Sequence, residues 1–153
     1  MADSLLQLQA VSIAFGGLRA VQDVSLDVPR GSLTALIGPN GAGKTTLFAL
    51  MSGFLKPDAG RVHFNGRDIT GQAPHLNARA GLTRTFQIVQ PFAAQTVREN
   101  IAVGAHLHEH NRAAALAAAE QVAQRVGLAA LLDKPAGDLT VAGRKQGNRI
   151  KSG

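Results

Sequence analysis

The residues of this chain best suited to chemistry are Gly38-Pro39-Asn40-Gly41-Ala42-Gly43-Lys44-Thr45, which satisfy the spacing G-x-x-x-x-G-K-[ST]. Glycines at 38, 41 and 43 let the backbone curl without Cβ clashes, so that successive N–H groups converge on phosphate oxygens. A helix opening at that point adds the positive end of its dipole. Lys44 is placed to reach the β- and γ-phosphates of a nucleotide, the Thr45 hydroxyl to take one position on Mg²⁺, and Thr46 to touch the α-phosphate. The plain alternative is a glycine turn that binds nothing. A strand before the loop and a helix after it favour the phosphate site.

The flanking residues supply that setting. Leu33, Ala35, Leu36 and Ile37 form a nearly continuous apolar run over Ser32–Ile37, the pattern of a strand covered on both faces, leading into Gly38. After the loop, Leu47, Phe48, Leu50 and Met51 suit a short buried helix over Lys44–Ser52, with Gly53 as its stop. Upstream, Leu6, Leu8 and Ala10, and then Val24, Leu26 and Val28, alternate with polar residues and predict strands before the Pro29-Arg30-Gly31 turn. Downstream, Lys56-Pro57-Asp58-Ala59-Gly60 is turn chemistry, and Arg61–Asn65 alternates around Val62 and Phe64 before the hairpin signal Asn65-Gly66. Beyond Gln72 the character is helical. Pro74 suits a first helical position and Gly81 a stop, Thr96 with Glu99 forms a capping-box pattern, and residues 112–126 place Leu116, Val122 and Val126 on one face before Gly127.

With those residues in view, Leu36–Leu55 followed by Lys56-Pro57-Asp58-Ala59-Gly60 resembles the Walker A region of ABC-transporter ATPase subunits. Phe15-Gly16-Gly17-Leu18-Arg19-Ala20-Val21, Gly81-Leu82-Thr83-Arg84-Thr85-Phe86-Gln87 and Thr96-Val97-Arg98-Glu99-Asn100-Ile101 narrow the resemblance to the ATP-binding subunits of branched-chain amino acid importers. It covers roughly residues 5 to 146. It implies an α/β fold of the P-loop NTPase (ABC ATPase) type, with an N-terminal antiparallel β subdomain, a partial RecA-like core and a partial helical subdomain. On this reading residues 1–37 are a strand-rich A-loop region, 38–86 the P-loop core, 87–146 the Q-loop and helical region, and 147–153 an atypical tail.

The resemblance also assigns roles. Nucleotide binding falls to Phe15, stacking on adenine as the A-loop aromatic, and to Gly38, Pro39, Asn40, Gly41, Ala42, Gly43, Lys44, Thr45 and Thr46. Gln87 matches the Q-loop glutamine, a catalytic position whose amide carbonyl touches Mg²⁺ or the attacking water, so that Thr45 and Gln87 are the expected metal contacts. Leu139, Thr140, Val141, Ala142 and Gly143 fall where the family carries its Leu-Ser-Gly-Gly-Gln signature. Thr140 keeps a hydroxyl, but Val141 and Ala142 replace glycines and Gly143 stands in place of Gln.

Missing from the chain is any Asp-Glu dipeptide, the family's pair for holding Mg²⁺ through water and polarising the attacking water, and no switch histidine follows in order. ATP and Mg²⁺ are therefore the expected cofactors, with binding but no effective hydrolysis. The strand that carries those acids packs beside the P-loop strand in the family, so its absence is expected to leave an apolar strand edge uncovered and prone to aggregation. The apolar run Leu128–Leu132 ending in Asp133 could imitate such a strand, but it lacks β-branched residues and precedes the signature, which favours a helix end. The change of character at Gly147 suggests a frameshift, an early stop or an artificial tail.

The expected partners are two transmembrane permease subunits, a second ATP-binding subunit, identical or not, and, indirectly, a periplasmic or extracellular substrate-binding protein. The expected location is the cytoplasmic face of the cell membrane. The alternatives are a non-hydrolysing nucleotide-binding module and a soluble ABC-type ATPase acting on nucleic acid. The net charge of +6 over 153 residues argues little for the last: four of the sixteen cations are Arg144, Lys145, Arg149 and Lys151, and no acid follows Asp138. That basic end lacks interleaved aromatics, so no nucleic acid is expected. With 45% hydrophobic residues, disorder is disfavoured, and with no cysteine, thiol and zinc-thiolate chemistry is excluded. No basic region precedes an apolar stretch at the start, and no run reaches the length of a membrane span. His106-Leu107-His108-Glu109-His110 puts two histidines on one helical face but offers no third ligand, which favours a solvated helix end or loop.

Overall fold

The computed structural model describes residues 4–86, 90–107, 109 and 111–139, in two compact units divided between Leu82 and Thr83. The first unit is built on a four-stranded antiparallel sheet. β1 (Ser4–Phe15), β2 (Leu18–Pro29), β3 (Ala59–Phe64) and β4 (Arg67–Asp68) lie in the order β2-β1-β3-β4. One face carries the core. Leu6, Leu8, Val62 and Phe64 meet Leu47, Leu50 and Met51 of helix α1 (Lys44–Met51), while Val24, Leu26 and Val28 pack partly buried at the margin.

The simple alternation expected for β1 breaks at Ala10. This residue has φ 51, is exposed and coincides with a register shift between Leu8 and Val11; Asp23 of β2, at φ 49, falls at the next shift, between Val11 and Ile13. A bulge there reverses the facing of the strand, so Val11 and Ile13 enter the core where strict alternation would have placed Ala10. The Ser25 hydroxyl accepts from the Ala10 amide at 2.9 Å, and at the second shift the Ser12 hydroxyl accepts from the Asp23 amide at 2.8 Å, so neither irregularity leaves its amide unpaired. Gly60 of β3 packs on the same point. A Cβ at 60 would stand 2.4 Å from the Ala10 carbonyl oxygen, and its φ is +87. The hairpin signal Asn65-Gly66 is realised with φ 50 and 74, a two-residue turn whose positive dihedrals suit the twist of the strands.

Two local expectations are corrected. In α1 the buried side chains are Leu47, Ala49, Leu50 and Met51, whereas Phe48 is half exposed. Ser32–Ile37 forms no strand: Leu33 and Ile37 are 102% and 91% exposed, and no described residue pairs with the segment. An apolar run becomes a strand only when neighbours complete its backbone ladder, and here its recorded bonds are the short-range ones of Ser32 to Pro29 and Thr34.

Helix α2 (Pro74–Arg79) begins with Pro74 and is followed by Gly81 at φ 97. Buried Asn77 ties it to the end of α1. Its amide nitrogen donates to the carbonyls of Ser52 and Gln72, and its oxygen accepts from Gln72 Nε2 at 3.0 Å.

The second unit pairs α3 (Val97–Ala105) with α4 (Arg112–Arg125) over an apolar core completed by Leu128, Leu132 and Leu139. The seam of α4 is not the expected Leu116, Val122 and Val126, which are only partly buried. It is Ala115, Ala119 and Ala123, each at 0% exposure. Spaced four apart, these small residues form one stripe that lets the neighbouring helix approach closely. Leu128–Leu132 is no strand; Ala129–Leu131 is a single 3₁₀ turn.

The capping box at the start of α3 is present in full, with the Thr96 hydroxyl accepting from the Glu99 amide at 3.2 Å and the Glu99 carboxylate accepting from the Thr96 amide at 3.0 Å. The Thr96 amide, and then its hydroxyl, hold the Glu99 carboxyl below the usual carboxylate range. Buried Asn100 fixes the preceding loop. Its oxygen accepts from the Phe92 amide at 2.9 Å, and its nitrogen donates to the carbonyls of Phe92 and Thr96.

Three outcomes follow from this packing. Gly60→Ala must adopt a left-handed conformation, costing about 1–2 kcal/mol, and must also displace the Ala10 carbonyl, so its urea midpoint falls below that of Ala59→Gly at the neighbouring exposed site. Asn100→Ala leaves the Phe92 amide without the side-chain acceptor it has now and lowers stability by about 1–3 kcal/mol, read by the same titration. Because the folded-state pKa of Glu99 is depressed, its stabilisation is complete above the ordinary carboxylate value and is lost as pH falls through the folded one. Glu99→Gln keeps a capping side chain, and its melting temperature should decline less steeply on acidification than that of the parent.

Candidate functional site

The glycine loop is held between β2 and α1. Gly43, the residue preceding α1, has φ 79, and a Cβ there would stand 2.3 Å from the carbonyl oxygen of Ala20. Only glycine allows that approach and that dihedral together. Gly41 also takes a positive φ, 84, with open space around it, while the Ala42 amide donates to the Pro39 carbonyl at 3.3 Å and so closes the curl.

The first bond inside the helix runs from the Leu47 amide to the Gly43 carbonyl at 2.8 Å, so the amides of Lys44, Thr45 and Thr46 lie before the helical ladder. No side chain caps them, and no acid lies in the first turn. Amides in that position, at the positive end of the helix dipole, attract an anion. Lys44 lies across the curl, its Nζ donating to the carbonyls of Gly38 and Pro39 at 2.6 Å each. Thr45 is exposed, and Lys44 and Thr46 are half buried. Pro39 and Asn40 lie on the exposed rim with Gly38. A Mg²⁺ carried by a phosphate would find one oxygen ligand here, the exposed Thr45 hydroxyl, beside amides suited to hold the phosphate itself.

Phe15 stands at the tip of the β1–β2 hairpin, its side chain 47% exposed. Gly16 and Gly17, at φ 52 and 88, make the connecting turn and pair Phe15 with Leu18. Ala20, whose carbonyl abuts Gly43, lies two residues further along β2, so the hairpin tip and the glycine loop are neighbours within one unit. Ala20 falls within the stretch Phe15–Val21 that carries the resemblance, but nothing in its residue type marks it as the seat of Gly43.

The remaining assignments belong to the second unit. Gln87, Thr140, Val141, Ala142 and Gly143 lie outside the described residues, as does the tail from Gly147. Leu139, the first residue of the signature-like stretch, is buried in the apolar core of that unit. His108 and His110 also lie outside, and His106 sets its Nδ1 3.2 Å from the Glu109 carbonyl. Among the described residues no three metal-ligating side chains converge, and no helix is long and apolar enough to cross a membrane.

Comparison with known proteins bears on the whole arrangement. Residues 21–150 match the family described as ABC transporter. Among curated proteins, a probable branched-chain amino acid transport ATP-binding protein, LivG, of Archaeoglobus fulgidus is 48% identical over 99 residues, covering 65% of this chain and 38% of that protein. The high-affinity branched-chain amino acid transport ATP-binding protein BraF of Pseudomonas aeruginosa is 42% identical over 108 residues, covering 71% and 42%. The sulfate/thiosulfate import ATP-binding protein CysA of Synechococcus elongatus is 40% identical over 129 residues, covering 84% and 37%. This chain thus spans about two fifths of the length of these relatives.

Among solved structures, an ATP-binding cassette of an ABC transporter in its ADP conformation superposes with a TM-score of 0.81 at 32% identity, covering 97% of this chain and 63% of that one. The cbiO1 protein of Clostridium perfringens, part of the ABC transporter complex cbiONQ, superposes at 0.82 and 27%, covering 97% and 61%. A glycine loop seated on a strand and a helix N-terminus, in a fold shared with these cassettes and a sequence matched over most of its length, places the chain in the ABC transporter family.

Proposed function

We propose that this chain is the nucleotide-binding portion of an ATP-binding subunit of an ABC importer of the branched-chain amino acid type. The observation that carries the reading is the uncapped start of α1, where the amides of Lys44 to Thr46 meet a curl of backbone closed by the Gly43–Ala20 contact. A triphosphate seated there would exchange the two carbonyl contacts of Lys44 for phosphate oxygens, and the Thr45 hydroxyl would face Mg²⁺. When bound, Mg²⁺ would screen charge between phosphates. Phe15 would stack on the base from the hairpin tip.

Relatives named for branched-chain amino acid transport at 48% and 42% identity support the importer type. In a complete transporter, Gln87 would sense the nucleotide, and the segment Leu139–Gly143 would face the nucleotide of a second ATP-binding subunit. Two membrane permeases, fed by a substrate-binding protein outside the membrane, would be driven from its cytoplasmic face. No Asp-Glu pair occurs in these 153 residues, so the chain alone is expected to bind Mg-ATP without effective turnover.

Calorimetric titration of the folded chain with Mg-ATP should give saturable heat. Lys44→Ala should weaken it by at least about tenfold, or about 1.4 kcal/mol. Gly43→Ala should do likewise, since its added methyl meets the Ala20 oxygen. Phosphate release should stay at the level of the buffer blank. Absence of heat from folded protein would sink the binding reading, and turnover abolished by Lys44→Ala would sink the claim of a non-hydrolysing chain.

A further inference from the structure

We propose that Asn40 is a site of spontaneous deamidation, and that the carboxylate it yields turns the phosphate cradle against anions. The consequence for phosphate rests on the nucleotide reading above; the reaction at Asn40 does not.

The reaction requires an asparagine followed by a residue whose backbone nitrogen can reach the side-chain amide carbon. The Gly41 nitrogen gives up its proton to solvent base and attacks Cγ of Asn40. As the N–Cγ bond forms, the Cγ–Nδ2 bond breaks, and Nδ2 leaves as ammonia with a proton equivalent to the one Gly41 surrendered. Water then opens the cyclic succinimide at either carbonyl. Attack at Cγ gives aspartate, and attack at the main-chain carbonyl gives an isoaspartyl link. Nothing is oxidised or reduced, and water is the co-reactant. Glycine favours ring closure because no Cβ shields its nitrogen and its dihedrals turn freely. Asparagine accordingly counts among the thermolabile residues.

Two Asn-Gly steps occur in the chain, Asn40-Gly41 and Asn65-Gly66, and the structure separates them. Asn40 is exposed, in a turn outside any helix or strand, and nothing lies within 4 Å of the Cβ position at Gly41. Among the described residues, none hydrogen-bonds to the Asn40 side chain or to the Gly41 amide; the turn is closed by the 3.3 Å bond from the Ala42 amide to the Pro39 carbonyl. Asn65 is held instead. Its Oδ1 accepts from Arg30 Nη2 at 2.5 Å, its amide donates to the Leu5 carbonyl at 2.8 Å, and its turn joins β3 to β4. Ring closure at Asn65 must break that side-chain bond and rotate a turn fixed by strand pairing.

Position gives the reaction its effect. Asn40 lies in the curl before α1, four positions ahead of Lys44. A carboxylate there repels a phosphate approaching the amides of Lys44 to Thr46 and offers Lys44 an acid to pair with. The isoaspartyl product also lengthens the main chain of the loop by one methylene.

The test holds the full 153-residue chain folded at mildly alkaline pH and follows both sites by digestion and peptide mass spectrometry. Asn40 should convert ahead of Asn65, each converted peptide losing NH, gaining O and separating into aspartyl and isoaspartyl forms. In urea the two sites should convert at similar rates. Absence of conversion at Asn40, or equal rates in the folded chain, overturns the proposal. A gap that persists unchanged in urea traces to neighbouring sequence and overturns the structural assignment. By calorimetry, Asn40→Asp should weaken Mg-ATP and magnesium tripolyphosphate alike, by at least about tenfold, since the charge acts on phosphate and not on the base. Undiminished binding, or a loss confined to ATP, overturns the consequence. If the unsubstituted chain binds neither probe, the nucleotide reading falls and the consequence with it, whereas conversion at Asn40 is still decided by mass.

Discussion

Gly43 and Ala20 meet so closely that the site has room for hydrogen but not for carbon at position 43. That contact decides where the N-terminus of α1 lies relative to β2. Because β2 is also the second strand of the hairpin that carries Phe15, one backbone approach sets both the amide cluster and the aromatic ring. The sheet supplies the rigidity this requires. The bulge at Ala10 turns Val11 and Ile13 inward, Gly60 packs on the bulge from the other edge, and the apolar face so created receives Leu47, Leu50 and Met51 of α1. A functional loop positioned by buried scaffold is the general solution to holding polar backbone at a surface.

The second unit solves a different problem with different means. Its core relies on alanines at 115, 119 and 123, which bury little area each but allow the helices to close together. Order at its polar end comes from saturating backbone groups. Asn100 serves the loop at Phe92 to Thr96, and the Thr96–Glu99 box serves the first turn of α3. Arg98 adds a charged tie, lying 3.4 Å from Glu120 of α4 and 3.2 Å from Asp133 beyond it. These groups are exposed enough that solvent weakens the pairing, which leaves the alanine seam and the buried amide as the main supports.

Features fixed by local chemistry were legible in the sequence. The helix start at Lys44, the turn at Asn65-Gly66, Pro74 at a helix start and the Thr96–Glu99 box each depend on residues within a few positions of one another, and each appears as read. Features fixed by long-range company were not. Ser32–Ile37 has the composition of a buried strand, yet strand formation depends on partners that no described residue provides. Ala10 has the apolar character expected of a core position, but the bulge, with the Ala10 amide taken up by Ser25 of the facing strand, excludes it. On α4 the periodicity admitted two stripes, and close packing chose alanine over leucine and valine. The contact of Ala20 with Gly43 spans twenty-three positions of chain and leaves no compositional trace.

The order of strands along the chain has a temporal side. β1 and β2 are joined by a two-residue turn and need nothing else to meet, whereas β3, on the opposite flank of β1, is separated from it by β2, the glycine loop and α1. A ribosome extruding this polypeptide from its amino end releases the loop before the strand that locks its foundation, since local pairings close first and distant ones wait for their sequence to emerge. Until Phe64 has cleared the exit tunnel, the nascent loop rests on a two-stranded ribbon, a structure of marginal independent stability.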